Sequence, residues 1–164
     1  MARIGKRKKE AKKELYNNLI GLIYNFYNTP LEQIQTVILA LTEYKRSGIE
    51  IKSKMEDLRD IVRSYNSSCY EILEYLHTYQ SSFNTEIFDE IYQILIEVMV
   101  LSTILGKLLD VECGLDNVPD FIAKSERYHE GNRLELNSLP KHRIKVYRLL
   151  LGIIEKVKKQ RDEL

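Results

Sequence analysis

Between Ile87 and Leu108 apolar residues recur at helical spacing without a gap: Ile87, Phe88, Ile91, Ile94, Leu95, Val98, Leu101, Leu105 and Leu108. Val100 and Ile104 widen the stripe in its second half, so that half belongs near the centre of a bundle. Such a face must be covered by apolar faces of other elements. The rest of the chain supplies them. With 7 Gly, 3 Pro and an abundance of Leu, Ile, Glu and Lys, little interrupts helix formation.

Four further helices, and a short one besides, are expected. The first covers about 8–28, with Leu15, Leu19, Leu22, Ile23 and Phe26 as its stripe. Thr29-Pro30-Leu31-Glu32 has the form of a capping box, with Pro at the first helical position. The second helix follows to about Arg46, burying Leu31, Ile34, Val37, Ile38 and Leu41 and ending at Ser47-Gly48. Ser53-Lys54-Met55-Glu56 is a second capping box. It opens either one kinked helix over 54–80 or two shorter ones, because the pattern weakens at Asn66-Ser67-Ser68. The turn Ser81–Asn84 precedes the most apolar helix, over about 85–110, which Cys113-Gly114 ends. A short helix after Pro119 runs to about His129, 130–137 reads as an exposed loop, and the last helix runs from Ser138-Leu139-Pro140 to about Lys159. No β-branched run alternates with period two. The expectation is therefore an all-α, single-domain bundle of five to six mostly antiparallel helices over 14–164, preceded by a basic arm or helix extension at 1–13.

Cys69 and Cys113 form no CxxC pair and read as reduced, half-buried thiols of a cytoplasmic protein. The longest apolar window, 94–111, carries Glu97, Lys107 and Asp110, so no membrane span is expected. The basic start is followed by four Asn within 15–28 and no small-residue cleavage site, unlike a signal peptide. The 11 Tyr suit bundle margins, where a ring packs and its hydroxyl reaches water.

Catalytic arrangements are sparse. There is no G-x-S-x-G, no phosphate-binding glycine loop and no HExxH, and His142 has no evident carboxylate partner in the sequence. The sharpest chemical lead is a doubled Glu-x-x-His, Glu74–His77 and Glu126–His129. With extra carboxylates from Glu43 and Glu97, this is how ferritin-like bundles hold a carboxylate-bridged metal pair. Helical geometry argues against it: Glu74 lies opposite the face set by Cys69, Ile72, Leu73, Leu76 and Phe83, and His77 a quarter-turn off. Glu97 continues the polar row Glu86, Glu90, Gln93 and reads as solvated. No cofactor and no metal are expected, and the chain reads as a non-enzyme.

Charge departs furthest from the ordinary. The net charge is +1, yet residues 1–13 carry +6 and residues 141–164 carry +5, leaving −10 for 14–140. In the last helix Lys141, Lys145, Arg148, Lys156 and Lys159 fall within an arc of about 80° at 100° per residue. Val146, Tyr147, Leu150, Ile153, Ile154 and Val157 lie opposite. The helix dipole favours Lys156 and Lys159 but opposes Lys141 and Lys145 in the first turns. Lys6, Arg7, Lys8, Lys9, Lys12 and Lys13, with Arg3, surround the first segment on every side, which suits a projecting arm and not a packed helix.

An arm and an outward, unneutralised cationic stripe form the footprint of sequence-tolerant phosphate contact. The acidic middle offers a competing target, since the basic ends of one copy could dock on another. The expectation is a non-enzymatic interaction module within a protein or nucleoprotein assembly. Protein partner or self-assembly and nucleic acid are its expected contacts, without a membrane span.

Overall fold

The computed structural model describes residues 2–48, 50–111 and 133–164. The described residues form α-helices with short 3-10 turns and no strand, so the protein is all-α. The helices are α1 (Ala2–Asn28), α2 (Pro30–Ser47), α3 (Met55–Thr78), α4 (Thr85–Leu109) and α5 (Leu139–Asp162).

These five segments build four staves, because α1 and α2 do not reverse at Thr29-Pro30. Thr29 makes no capping bond through its side chain. Its N–H donates to Asn25 O at 3.3 Å, and Gln33 N–H donates to Thr29 O at 2.9 Å. Helical bonding thus persists on both sides, and the ring of Pro30 removes the donor that would have reached Phe26. Loss of one rung bends a helix without turning it back. The expected capping box is a kink, and the described helices take four directions.

Side-chain pairs fix those directions. Tyr75 OH donates to Leu15 O while Phe26 packs on Tyr65 at 4.9 Å between centroids, so α3 runs against the first stave. Tyr65 OH donates to Val98 O and Arg59 Nε to Leu109 O, so α4 runs against α3. Lys145–Glu97 and Lys156–Glu90 set α5 against α4. Arg161–Asn17 and Arg143–Leu31 set α5 against α1 and α2. The main interfaces join each stave to two neighbours, which leaves α3 and α5 on one diagonal.

The expected stripes form the core. Leu19, Ile23 and Phe26 of α1, all five named residues of α2, and Cys69, Ile72, Leu73 and Leu76 of α3 are buried. Tyr16 and Tyr65 are buried too, deeper than a bundle margin. α3 is one continuous helix through Asn66-Ser67-Ser68, where Ser102 Oγ lies 3.3 Å from Asn66 Oδ1 across the α3–α4 interface. The expected Ser53 cap is replaced by a 3-10 turn, Lys52–Lys54, in which Lys54 N–H donates to Ile51 O. Asn84 caps α4 by accepting from Glu86 N–H at 2.8 Å.

α4 ends where expected, at Leu109, but the left-handed cap comes from Asp110 (φ 56°), which donates its N–H to Gly106 O. Leu109 is buried and Leu108 is 48% exposed, the reverse of the extrapolated stripe. Cys113-Gly114 and the short helix after Pro119 lie outside the described residues. Leu134 and Leu136, expected in an exposed loop, pack on the core around the 3-10 turn Leu136–Ser138. By length and composition α4 could cross a membrane, but 83% of its apolar window is buried inside the bundle. It is the core helix.

Candidate interaction surfaces

α1 begins at Ala2 and its residues 3–14 are all exposed. Its neighbours stop beside the next turn: Leu15 meets Tyr75 near the end of α3, and Asn17 meets Arg161 in the last turn of α5. The preceding 12 residues therefore project about 18 Å beyond the bundle at 1.5 Å per residue. Arg3, Lys6, Arg7, Lys8, Lys9, Lys12 and Lys13 surround this extension and form no ion pair with a described residue. Its first turn has no acidic residue. Cations gathered at a helix N-terminus oppose the dipole, so an anion there would relieve both repulsions.

The stripe on α5 is divided. Lys145 Nζ lies 3.1 Å from Glu97 Oε1 and Lys156 Nζ 2.8 Å from Glu90 Oε1. Both lysines occupy the edge of the arc that faces α4. Hydrogen bonding to Glu90 raises the Lys156 ammonium above its ordinary value, holding it charged. The expectation that all five cations stand unneutralised is corrected for these two. Lys141, Arg148 and Lys159 occupy the other edge of the arc, which points away from the core, are exposed, and make no ion pair with a described residue. Lys159 is half a turn from Arg161 and so lies at the arm's root. Lys141 is 20 residues from Arg161, about 30 Å along the helix. The two basic regions occupy opposite ends of the molecule.

Glu97 is not part of a solvated row. It is 3% exposed, and His142 Nε2 lies 2.9 Å from its carbonyl oxygen and 3.5 Å from its Oε2. His142 thus has a carboxylate neighbour after all. Arg143, the next residue, turns to the other side of α5. Its Nε donates to Leu31 O at 3.1 Å, while its Nη2 reaches Tyr147 OH at 3.0 Å and Glu32 at 3.4 Å. Tyr147 OH also donates to Glu32 Oε2 at 2.6 Å. Burial pushes the Tyr147 phenol up to about 12, and its hydrogen bond to Glu32 acts in the same direction. His142 and Arg143 together pin the start of α5 to α4 on one side and to the bend of the first stave on the other.

These anchors were readable in the sequence and missed. His142 and Arg143 fall within about 60° of the mean core direction defined by Val146, Leu150, Ile153 and Ile154 at 100° per residue. Glu97 stands between Ile94-Leu95-Ile96 and Val98-Met99-Val100, where an unpartnered carboxylate would be costly.

The ligands proposed for a metal pair do not meet. Glu74 and His77 are exposed on α3, and the His77 ring stands edge-on to Tyr92 at 5.7 Å. Glu97 lies in the α4–α5 interface, and the exposed Glu43 lies 3.9 Å from Arg46. Glu126 and His129 lie outside the described residues. Among the described residues no three His, Cys, Asp or Glu side chains form a group able to hold a metal ion. An open groove of 410 Å³ beside His77, Phe88 and Tyr92 brings in Asp89, Gln80 and Gln93 but no nucleophile. Cys69 is fully buried, more than the expected half, and burial pushes its thiol up to about 12. Cys113 lies outside the described residues. Compared with protein-family models, curated proteins and solved structures, the chain matches none.

Proposed function

We propose that this chain is a non-enzymatic helical interaction module, a subunit of a larger nucleoprotein assembly, that grips phosphate backbones without reading base sequence. The observation that carries this is the extension of α1: residues 3–14 are exposed on every side and ringed by seven cations without ion-pair partners among the described residues. Lysine and arginine presented all round a rod reach phosphates from any rotation and carry no base code. Lys159 at the rod's root adds to the same end. Lys6, Arg7, Lys8, Lys9, Lys12 and Lys13 are the main contacts. Lys145 and Lys156 are spent on α4 and contribute little. A cytoplasmic setting goes with this reading, since Cys69 is a free thiol.

The test is fluorescence anisotropy with the intact protein and labelled RNA and DNA of unrelated sequences at low ionic strength. The proposal expects binding whose affinity varies little with sequence. Absence of binding to either polymer at low salt overturns it.

A further inference from the structure

We infer that copies of this chain associate head to tail, the outer face of α5 in one copy docking on the outer face of α3 in the next. The inference rests on reading the chain as an assembly subunit and names the partner, but it does not use the arm or any phosphate.

Three observations carry it. First, the outward side of α3 is an exposed row, Asp57, Asp60, Ser64, Ser67, Glu71 and Glu74, at alternating three- and four-residue spacing. That spacing keeps all six on one face of the helix. The row is acidic at both ends and small in the middle. Asp60 is paired with Arg63 at 2.9 Å, whereas Asp57, Glu71 and Glu74 make no ion pair with a described residue. Second, the outward side of α5 carries Lys141, Arg148 and Lys159 together with Ile144, 47% exposed, and Leu151, 43% exposed. A depression of 560 Å³ lies between Lys141, Ile144, Lys145, Arg148 and Leu149. The acids on this face are occupied, Glu155 by Lys158 at 3.6 Å and Asp162 by Arg161 at 3.1 Å. Third, Gly152 lies on the same face, and a methyl group placed there would meet nothing within 4 Å. A mid-helix glycine costs about 1 kcal/mol relative to alanine, and no contact with a described residue requires it. Its bare backbone leaves room for a second helix to approach closely.

The faces match in extent. From Asp57 to Glu74 is about 26 Å and from Lys141 to Lys159 about 27 Å at the helical rise. α3 and α5 sit on the diagonal of the bundle, so the two faces point in opposite directions. An α5–α5 or α3–α3 pairing would oppose like charges and is disfavoured. The pairing of α5 with α3 is heterologous, and with the faces back to back it repeats from copy to copy instead of closing as a dimer.

The experiment is light scattering after size exclusion on the intact, nucleic-acid-free protein, over a range of concentrations at low and moderate ionic strength. At low salt the mass should climb with concentration past that of a dimer, and at moderate salt it should fall towards the single-chain 19.3 kDa. The reversals Glu71→Lys with Glu74→Lys on α3, and Lys141→Glu with Arg148→Glu on α5, should each leave a folded, non-associating chain. Mixing the two variants restores complementary faces and should restore growth. A single-chain mass at every concentration in low salt overturns the inference. So does a closed dimer, association that survives either reversal, or failure of the mixture to associate. Loss of phosphate binding by the arm would leave these outcomes unchanged, so the two proposals fail separately.

Discussion

Lys145 on α5 reaches Glu97 on α4 at 3.1 Å, and the two ends of that contact differ in exposure: the carboxylate side chain is 4% exposed and the lysine 51%. His142 supplies a second neighbour from the same helix at 3.5 Å. The asymmetry predicts unequal mutational costs. Lys145→Ala takes the cation from a carboxylate that stays buried and should cost about 3 kcal/mol. Glu97→Ala leaves behind only a half-exposed lysine that water can solvate and should cost less, about 1 kcal/mol. Urea unfolding monitored by helical circular dichroism measures both. Equal costs would mean that Glu97 does not organise the α4–α5 contact.

Arg143 joins α5 to the bend of the first stave through Leu31 O, Glu32 and Tyr147, with its guanidinium 4.7 Å from the Tyr147 ring centroid. Arg143→Lys keeps the charge but loses the planar fork, so it should still lower stability by about 1–2 kcal/mol in the same unfolding assay. A lysine variant as stable as the parent would show that charge alone suffices there.

Alkaline stability should fall early. Burial raises the Cys69 thiol from 9.0 to about 12, and the Tyr92 and Tyr147 phenols from 10.0 to about 12. It also raises Tyr65 well above 10.0. A raised acid binds its proton more tightly folded than unfolded. The contribution is complete below the unfolded value and is lost as pH climbs through the folded one. The unfolding midpoint should be steady up to pH 9 and decline between pH 9 and about 12, with Cys69→Ala delaying the onset. A flat profile across that window would contradict the burial of these groups.

Cys69 should resist alkylation in the native protein. The thiolate is the reactive species, and this thiol is both fully buried and held protonated at neutral pH. Iodoacetamide labelling read by peptide mass spectrometry should leave Cys69 unmodified until denaturant is added. Rapid native labelling would mean that the centre of α3 opens to solvent.

The stripes Leu19–Ile23–Phe26, Leu31–Leu41 and Cys69–Leu76 carried their helical class and buried faces openly, because apolar spacing records which side of a helix leaves water. Direction was harder. Thr29-Pro30 has the composition of a cap and the behaviour of a kink, and the difference lies in α3 and α5 packing along both halves of the stave. No local pattern encodes that. The outward orientation of α5 was legible from Val146 to Val157, but the neutralisation of Lys145 and Lys156 was not. It depends on Glu97 and Glu90 arriving from a helix 48 and 66 residues away in the chain. Extending Glu86 and Glu90 along a row places Glu97 in water, although its flanking residues are apolar on both sides.

The central claim is phosphate contact through the extension of α1, and the slope of log affinity against log salt tests it most directly. The intact chain and a variant with Lys6, Arg7, Lys8, Lys9, Lys12 and Lys13 changed to Gln should be titrated with one duplex DNA. Each cation that releases a counterion adds about 0.9 to the slope. The account predicts a steep slope for the parent and a much shallower one, with weaker binding, for the variant. A parent slope near zero, or equal slopes for the two proteins, would contradict it.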